Sequence, residues 1–320
     1  MIVIEGRNVN EVYNAALWRM AVEGKEYKTR NGPAMRARSP VCTVYRHPEE
    51  RVLFDAKRDA NPFFHLMESI WMMAGRQDLD FVAKFASNMR EYSDDGVILR
   101  GAYGYRWRHW FGENQIDFVV GELMESPDSR RAVISMWDVQ QDIQAVMTGA
   151  KDVPCNTSIY FTLRDGRLDM TVTNRSNDII WGCYGANAVH MSFLQEHVAR
   201  RIGVPMGKYY QISNDWHIYQ THYPLMENRL VDYVDHYPTV NTVPFDVTMD
   251  ECNLFCNYVM TFNNKAPKGE FFETVALPAF WAWKNHKDGH KNTALEEARV
   301  IKDGAWEIAC TEWLTRRYEK

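Results

Sequence analysis

Between Asn156 and Arg175 polar and apolar residues alternate, break step at Asp165-Gly166, and resume alternating on the other side. A period of two interrupted by an Asp-Gly pair predicts a β-hairpin, running out through Ser158, Tyr160 and Thr162 and back through Leu168, Met170 and Val172. Pro154-Cys155-Asn156 stands at its start, so the chain places a thiol where a loop runs into a sheet. That is a position for a presented nucleophile.

Arginines flank this hairpin in sequence: Arg130 and Arg131 upstream, Arg175 at its end. A single cysteine is ordinarily a small buried hydrophobe, and paired arginines are ordinarily solvated. The conjunction carries more than either part. Guanidinium forks suit phosphate oxygens, and nearby positive charge lowers a thiol pKa from about 8.5 into the reactive range. The combination reads as a nucleophile acting on a phosphorylated small molecule.

The 320 residues, 46% of them hydrophobic, contain no repeat, linker or low-complexity tract, which predicts one domain over residues 1–320. A formal net charge of -5 argues against nucleic-acid binding through a basic surface, so any phosphate site is local. No apolar run approaches the roughly 20 residues that span a bilayer, and a soluble cytoplasmic protein is expected. Six cysteines without a secretory leader are expected to be thiols. Cys252 and Cys256 lie four apart on a predicted helix, but no second close pair completes a zinc site, and no metal is expected.

A helix is predicted over residues 9–22 with Asn8 or Asn10 as its cap, followed by a basic turn around Arg30. Residues 41–54 read as a strand pair about His47-Pro48. Residues 63–74 form a helix apolar on all sides that carries Glu68, which favours burial of the carboxylate and a role in proton transfer or in ordering water. His65 reads as a packed helix residue. Residues 100–108 read as an aromatic, basic loop and residues 115–124 as a helix. Trp181 to Asn187 lead into a helix over 188–201, where Asn187 is either a cap or a reader of a ligand edge. Asp215, His217 and Tyr219 alternate on a strand and point one way, suiting either a sugar or a structural hydrogen-bond network. An amphipathic helix over 294–317, interrupted at Gly304, ends the chain.

Taken in order, these landmarks resemble the thymidylate synthase family, with its pyrimidine nucleotide hydroxymethylase branch: His65/Glu68/Trp71, Gly101/Tyr103/Gly104/Trp107/Arg108, Ser129-Arg130-Arg131, Pro154-Cys155, Arg175-Ser176-Asn177-Asp178, Gly182 to Asn187, and Asp215/His217/Tyr219. The resemblance implies an α/β (α+β) fold, a mixed sheet covered by helices, and an obligate homodimer joined sheet to sheet. It implies that Cys155 adds to C6 of a pyrimidine nucleoside monophosphate, making C5 nucleophilic toward the one-carbon unit of 5,10-methylenetetrahydrofolate. Arg30 and Arg175 would hold the phosphate with Ser176, and Arg130 and Arg131 would reach it from the other subunit. Glu68 would order water, Tyr103 would assist proton removal at C5, and Asn187 would read the pyrimidine edge. His217 and Tyr219 would hold the sugar, and Asp178, Gly182 and Trp71 would face the folate.

Departures from the family's synthases bear on the reaction. Asn88-Met89-Arg90-Glu91-Tyr92 replaces their Trp-Asp-Glu-Trp stretch, Asp152 and Asn156 replace a Leu and a His around the nucleophile, and the ending TEWLTRRYEK is not their folate-closing tail. From about residue 265 the chain is a divergent helical segment. Each change leaves the exocyclic carbon wetter, which favours water capture and a hydroxymethyl product from dUMP or dCMP. The alternatives are a methylating synthase, a dCMP or CMP enzyme, or a binding protein without chemistry.

Overall fold

In a computed structural model the described residues are 1–29, 31–227, 235–262 and 265–319, so Arg30 lies outside them. Eight strands form one mixed sheet: β1 Ile2–Gly6, β2 Lys25–Thr29, β3 Gly32–Arg36, β4 Val41–Tyr45, β5 Val133–Ser135, β6 Asn156–Arg164, β7 Arg167–Asp178 and β8 Met206–Tyr219. Its order is β1-β4-β8-β7-β6-β5, with β3 joining β8 and β2 joining β3. The hairpin turns at Asp165 and Gly166, both at positive φ (50° and 72°), as a two-residue turn joining twisted strands requires.

The helices before the hairpin are α1 Val9–Glu23, α2 Pro62–Met73, α3 Leu79–Phe85, α4 Tyr103–Arg108, α5 Gln115–Glu125 and α6 Val139–Met147. Those after it are α7 Asn187–Ile202, α8 Met249–Thr261, α9 Leu277–Lys287, α10 Lys291–Arg299 and α11 Gly304–Tyr318. Asn8 caps α1 through its side-chain oxygen, which accepts from the N–H groups of Asn10 and Glu11. All twelve residues of α2 are buried, as an all-round apolar helix must be. One contiguous core runs from Ile4 to Leu314.

Alternation divides the sheet. Ile159, Phe161, Met170, Val172 and Tyr209 are buried, whereas Tyr160, Thr171, Thr173, Tyr210 and Ile212 point the other way and are half-buried or exposed. Cross-strand register aligns Tyr160 with Thr171 and Thr171 with Tyr210 in one row.

Three local expectations are corrected. Residues 41–54 give one strand, because β1 pairs with β4 in parallel while Asn10 and Tyr237 take the backbone groups of Val52 and Phe54. The segment read as a loop over 100–108 is mostly the helix α4. A Cβ at Gly104 would stand 1.8 Å from the Met72 carbonyl oxygen, so only glycine lets α4 lie this close to α2. The C-terminal helix is two, α10 and α11, because Asp303 caps a new start by accepting from Ala305 and Trp306.

No helix of the described residues is long and apolar enough to cross a membrane. The C-terminal helices pack on α2: Phe63 meets Trp283 and Trp313, and Arg316 and Arg317 pair with Asp59.

Candidate active site

β7 and β8 run parallel, so their C-terminal ends coincide and Ser176, Asn177 and Asp178 lie opposite Asp215, Trp216 and His217. β6 is antiparallel to β7, so its first residue, Asn156, comes level with Asn174 at that same end. The sheet thereby gathers three distant sequence stretches. A register shift between Asn156 and Ser158 breaks the ladder just after the thiol, a device that re-aims side chains.

Cys155 is half-buried, and all six cysteines are thiols. Arg175 holds its loop: the backbone N–H donates to the Cys155 carbonyl (2.9 Å), Nε donates to Pro154 O (3.0 Å) and Nη2 to Val153 O (2.9 Å). The Tyr103 hydroxyl faces the Cys155 backbone, and burial pushes its pKa well above the ordinary phenol value, with the Cys155 and Asp152 charges acting in the same direction. Asp152 accepts from the Gly101 N–H (2.7 Å), and burial raises its carboxyl pKa against that bond. A Cβ at Gly101 would stand 2.5 Å from Asp152 Oδ1, so the glycine makes room for this carboxylate.

Glu68 is buried, with Oε2 at 3.1 Å from His190 Nε2, and neither atom finds a hydrogen bond of good geometry among the described residues. His65 stands edge-on to His190 at 6.5 Å, and burial drives its pKa well down. Asn187 is the first residue of α7 and makes no cap bond, so the capping alternative is excluded. Its Nδ2 donates instead to Asn177 Oδ1 at 3.2 Å.

Asp215, His217 and Tyr219 do form a group. His217 Nδ1 lies 3.0 Å from Asp215 Oδ1, Tyr27 donates to the same oxygen (3.1 Å), and the Tyr219 ring is edge-on to His217. Burial opposes the charged imidazole, but the bond to Asp215 and the charges of Asp178 and Asp215 outweigh it and raise the His217 pKa. Asn31 donates to the Tyr219 hydroxyl at 3.3 Å.

Asp178 Oδ1 caps the turn ahead by accepting from Ile180 and Trp181, while Oδ2 is buried without a partner among the described residues. Trp181, which donates to Asp178, also lines a cavity of about 420 Å³ together with Arg58, Phe64, His65, Asn88 and Lys287. A cavity of about 550 Å³ around Arg51, Glu196 and Trp306 shares no residue with the Cys155 group.

Trp71, expected to face the folate, is buried in the core with Nε1 donating to Asp78. An all-apolar helix does not reveal which residue faces a site. At Gly182 a Cβ would stand 2.6 Å from Asn177 Oδ1, so this glycine clears space for the Asn177–Asn187 link. Arg130 and Arg131 are exposed and immediately precede β5. The β5–β6 register brings Arg131 level with Thr162, seven residues along β6 from Cys155, or roughly 23 Å at about 3.3 Å per residue. Neither arginine reaches the Cys155 of its own chain.

Sequence reasoning missed His190, Asn177 and Arg58. His190 follows Asn187 by one helical turn, which was the available signal. Among the described residues no cluster of three or more His, Cys, Asp or Glu is arranged to hold a metal ion.

The thymidylate synthase family model matches residues 11–262. A deoxyuridylate hydroxymethyltransferase of Pseudomonas phage M6 is 42% identical over 339 aligned positions, covering 99% of this chain and 95% of that protein. A deoxyuridylate hydroxymethyltransferase of Bacillus phage SP01 is 35% identical across 70% of this chain and 60% of its own length. A putative thymidylate synthase of Methanosarcina barkeri is 39% identical across 39% of this chain and 56% of its own length.

Proposed function

The chain belongs to the thymidylate synthase family of one-carbon transferases, and on that premise we propose that it hydroxymethylates dUMP at C5 with 5,10-methylenetetrahydrofolate. The observation that carries the choice of product is the Asp152 carboxylate held by Gly101 beside Tyr103 and Cys155. A carboxylate there, where an apolar side chain would offer no base, favours water as the final nucleophile. The likeness along nearly the whole chain to a deoxyuridylate hydroxymethyltransferase supports the same reading.

The residues fit a folate cosubstrate. Asp178 offers a buried acceptor without a partner among the described residues, and Trp181, whose backbone N–H donates to it, walls with Phe64 a cavity rimmed by Arg58 and Lys287, suited to a flat ring with an anionic tail. Methylenetetrahydrofolate supplies one carbon at the oxidation level of formaldehyde, so net hydroxymethylation consumes one water and no reducing equivalent.

Cys155 adds as thiolate to C6 of the uracil ring, and the electron pair displaced from the C5–C6 bond makes C5 the nucleophile. Arg175 holds the phosphate with Arg30 and Ser176, joined by Arg130 and Arg131 of the partner subunit. Asn187 reads the ring edge, while His217 and Tyr219 hold the sugar. Tyr103, kept a neutral phenol by burial, relays the C5 proton through its hydroxyl. Glu68 with His190 orders water about the base. With the one-carbon unit on C5 and tetrahydrofolate released as the leaving amine, Asp152 takes a proton from the water that adds to the exocyclic methylene, and the electron pair returning through C5 expels the Cys155 thiolate and restores the C5–C6 double bond.

Two features support a homodimer: arginines too far from their own thiol, and a half-exposed sheet face bearing Tyr160, Thr171, Tyr210 and Ile212. Residues 1–320 act as one domain, and its soluble small-molecule partners suit a cytoplasmic enzyme.

The test is turnover of dUMP in heavy-oxygen water. A 5-hydroxymethyl product carrying the heavy oxygen is expected, and a 5-methyl product would overturn the proposal.

A further inference from the structure

We infer that Asn177 and Gln211 fix which way round Asn187 presents its amide, and thereby set the preference for uracil over cytosine. The inference rests on the reading of Asn187 as the residue facing the pyrimidine edge.

The two ends of an asparagine amide are nearly the same size, so packing alone does not choose between them. Here the choice is made at a backbone carbonyl. The Cys183 oxygen can only accept, and it receives the Tyr45 hydroxyl (3.1 Å) and Gln211 Nε2 (3.2 Å). Gln211 therefore turns its nitrogen to Cys183 and its oxygen to Asn177. Asn177 Nδ2 donates to that oxygen and to Ser213 Oγ (3.0 Å). Asn177 Oδ1 is left facing Asn187, whose Nδ2 donates to it at 3.2 Å.

Gln211, Ser213, Asn177 and Asn187 are all buried, so water does not rescue a reversed member. Turning any one amide sets like against like, a bias of roughly ten- to a hundredfold for each buried group left unsatisfied. The space needed at Gly182 marks the same link from its other side, since any side chain there would strike Asn177 Oδ1.

With Nδ2 tied back to Asn177, Asn187 offers a ligand its oxygen and its second N–H. Uracil presents a donor at N3 and an acceptor at O4, which match. Cytosine presents an acceptor at N3 and a donor amine at C4, which clash with both. Asn177 and Gln211 are thus positioning residues that select the base without touching it.

The test is equilibrium binding of dUMP and dCMP, without folate, to the wild type, Asn177→Ala, Gln211→Leu and Asn177→Asp. Removing the relay should lower the dCMP-to-dUMP ratio of dissociation constants at least tenfold in the first two variants. Asn177→Asp, with a buried protonated carboxyl that donates to Gln211 and keeps its carbonyl oxygen toward Asn187, should retain the ratio. A purely structural role would weaken both nucleotides alike, and an unchanged ratio in Asn177→Ala and Gln211→Leu would overturn the inference.

Neutron diffraction from the wild type gives a reading that needs no variant. Two deuterons on the Asn187 atom facing Asn177 support the relay, and a bare oxygen there overturns it. A wild type that binds dUMP selectively but makes no hydroxymethyl product would defeat the proposed function and leave this inference standing.

Discussion

The backbone N–H of Arg175 donates to the carbonyl of Cys155 at 2.9 Å, so a candidate phosphate ligand and the nucleophile move as one piece. Its guanidinium reaches the Pro154 and Val153 carbonyls as well, and a phosphate that orders Arg175 also orders the loop presenting the thiol.

Arg175→Lys should therefore cost more than a charge-conserving change suggests, because an ammonium cannot bridge two carbonyls and an anion with fixed geometry. Hydrogen bonds to charged groups contribute about 1.5–3 kcal/mol each, so dUMP binding should weaken roughly ten- to a hundredfold, with kcat falling alongside. Calorimetric titration and steady-state rates measure both. Unchanged kcat would mean that the loop does not depend on Arg175.

Cys155→Ser and an Arg130→Ala/Arg131→Ala double variant should each be inactive alone and partly active when mixed. Random reassortment makes about half the dimers mixed, and one of the two sites in each mixed dimer is intact, so about a quarter of wild-type activity should return. No recovery after verified subunit exchange would contradict arginines supplied across the interface.

Asp152→Asn separates the water step from what precedes it. Tritium release from C5 should continue while hydroxymethyl product falls behind it. Folding raises this carboxyl pKa, so the folded state binds its proton more tightly than the unfolded chain, and stability falls as pH rises from the ordinary value of 3.8 through the folded value. The amide removes that penalty. Thermal unfolding should show Asp152→Asn more stable than wild type at neutral pH and no more stable below the ordinary value.

His217 gives a dependence of the same sign in a higher pH range, and Asp215 gives the opposite one. The His217 pKa is raised, so its contribution is complete below the ordinary 6.5 and is lost as pH rises through the folded value. Asp215 is lowered, chiefly by its bond to His217, so its share is present above the ordinary 3.8 and lost as pH falls through the folded value. His217→Gln should flatten the decline in stability above neutral pH, which melting temperatures across that range would reveal.

What was legible in the sequence was local. The period of two and the Asp-Gly turn identify the hairpin, and Cys155 does stand at its mouth. The unbroken apolar surface of α2 foretells a buried Glu68. The spacing from Asn187 places its neighbour His190 on the same side of α7, but its meeting with Glu68 was not legible, because α7 meets α2 only through packing. Nor was the relay through Asn177 and Gln211, which depends on the parallel register of β7 and β8. The same uniformity that buries Glu68 hid which side of α2 carries Trp71. The C-terminal break was misplaced by attention to Gly304, when Asp303 one residue earlier caps the new helix.

Water capture at the one-carbon unit is tested most directly by following C5 tritium release from dUMP together with the oxidation state of the folate. Release matched by 5-hydroxymethyl-dUMP and tetrahydrofolate, with no dihydrofolate, is the predicted result. Dihydrofolate rising in step with tritium release would mean hydride transfer and a methyl product, and would contradict the account.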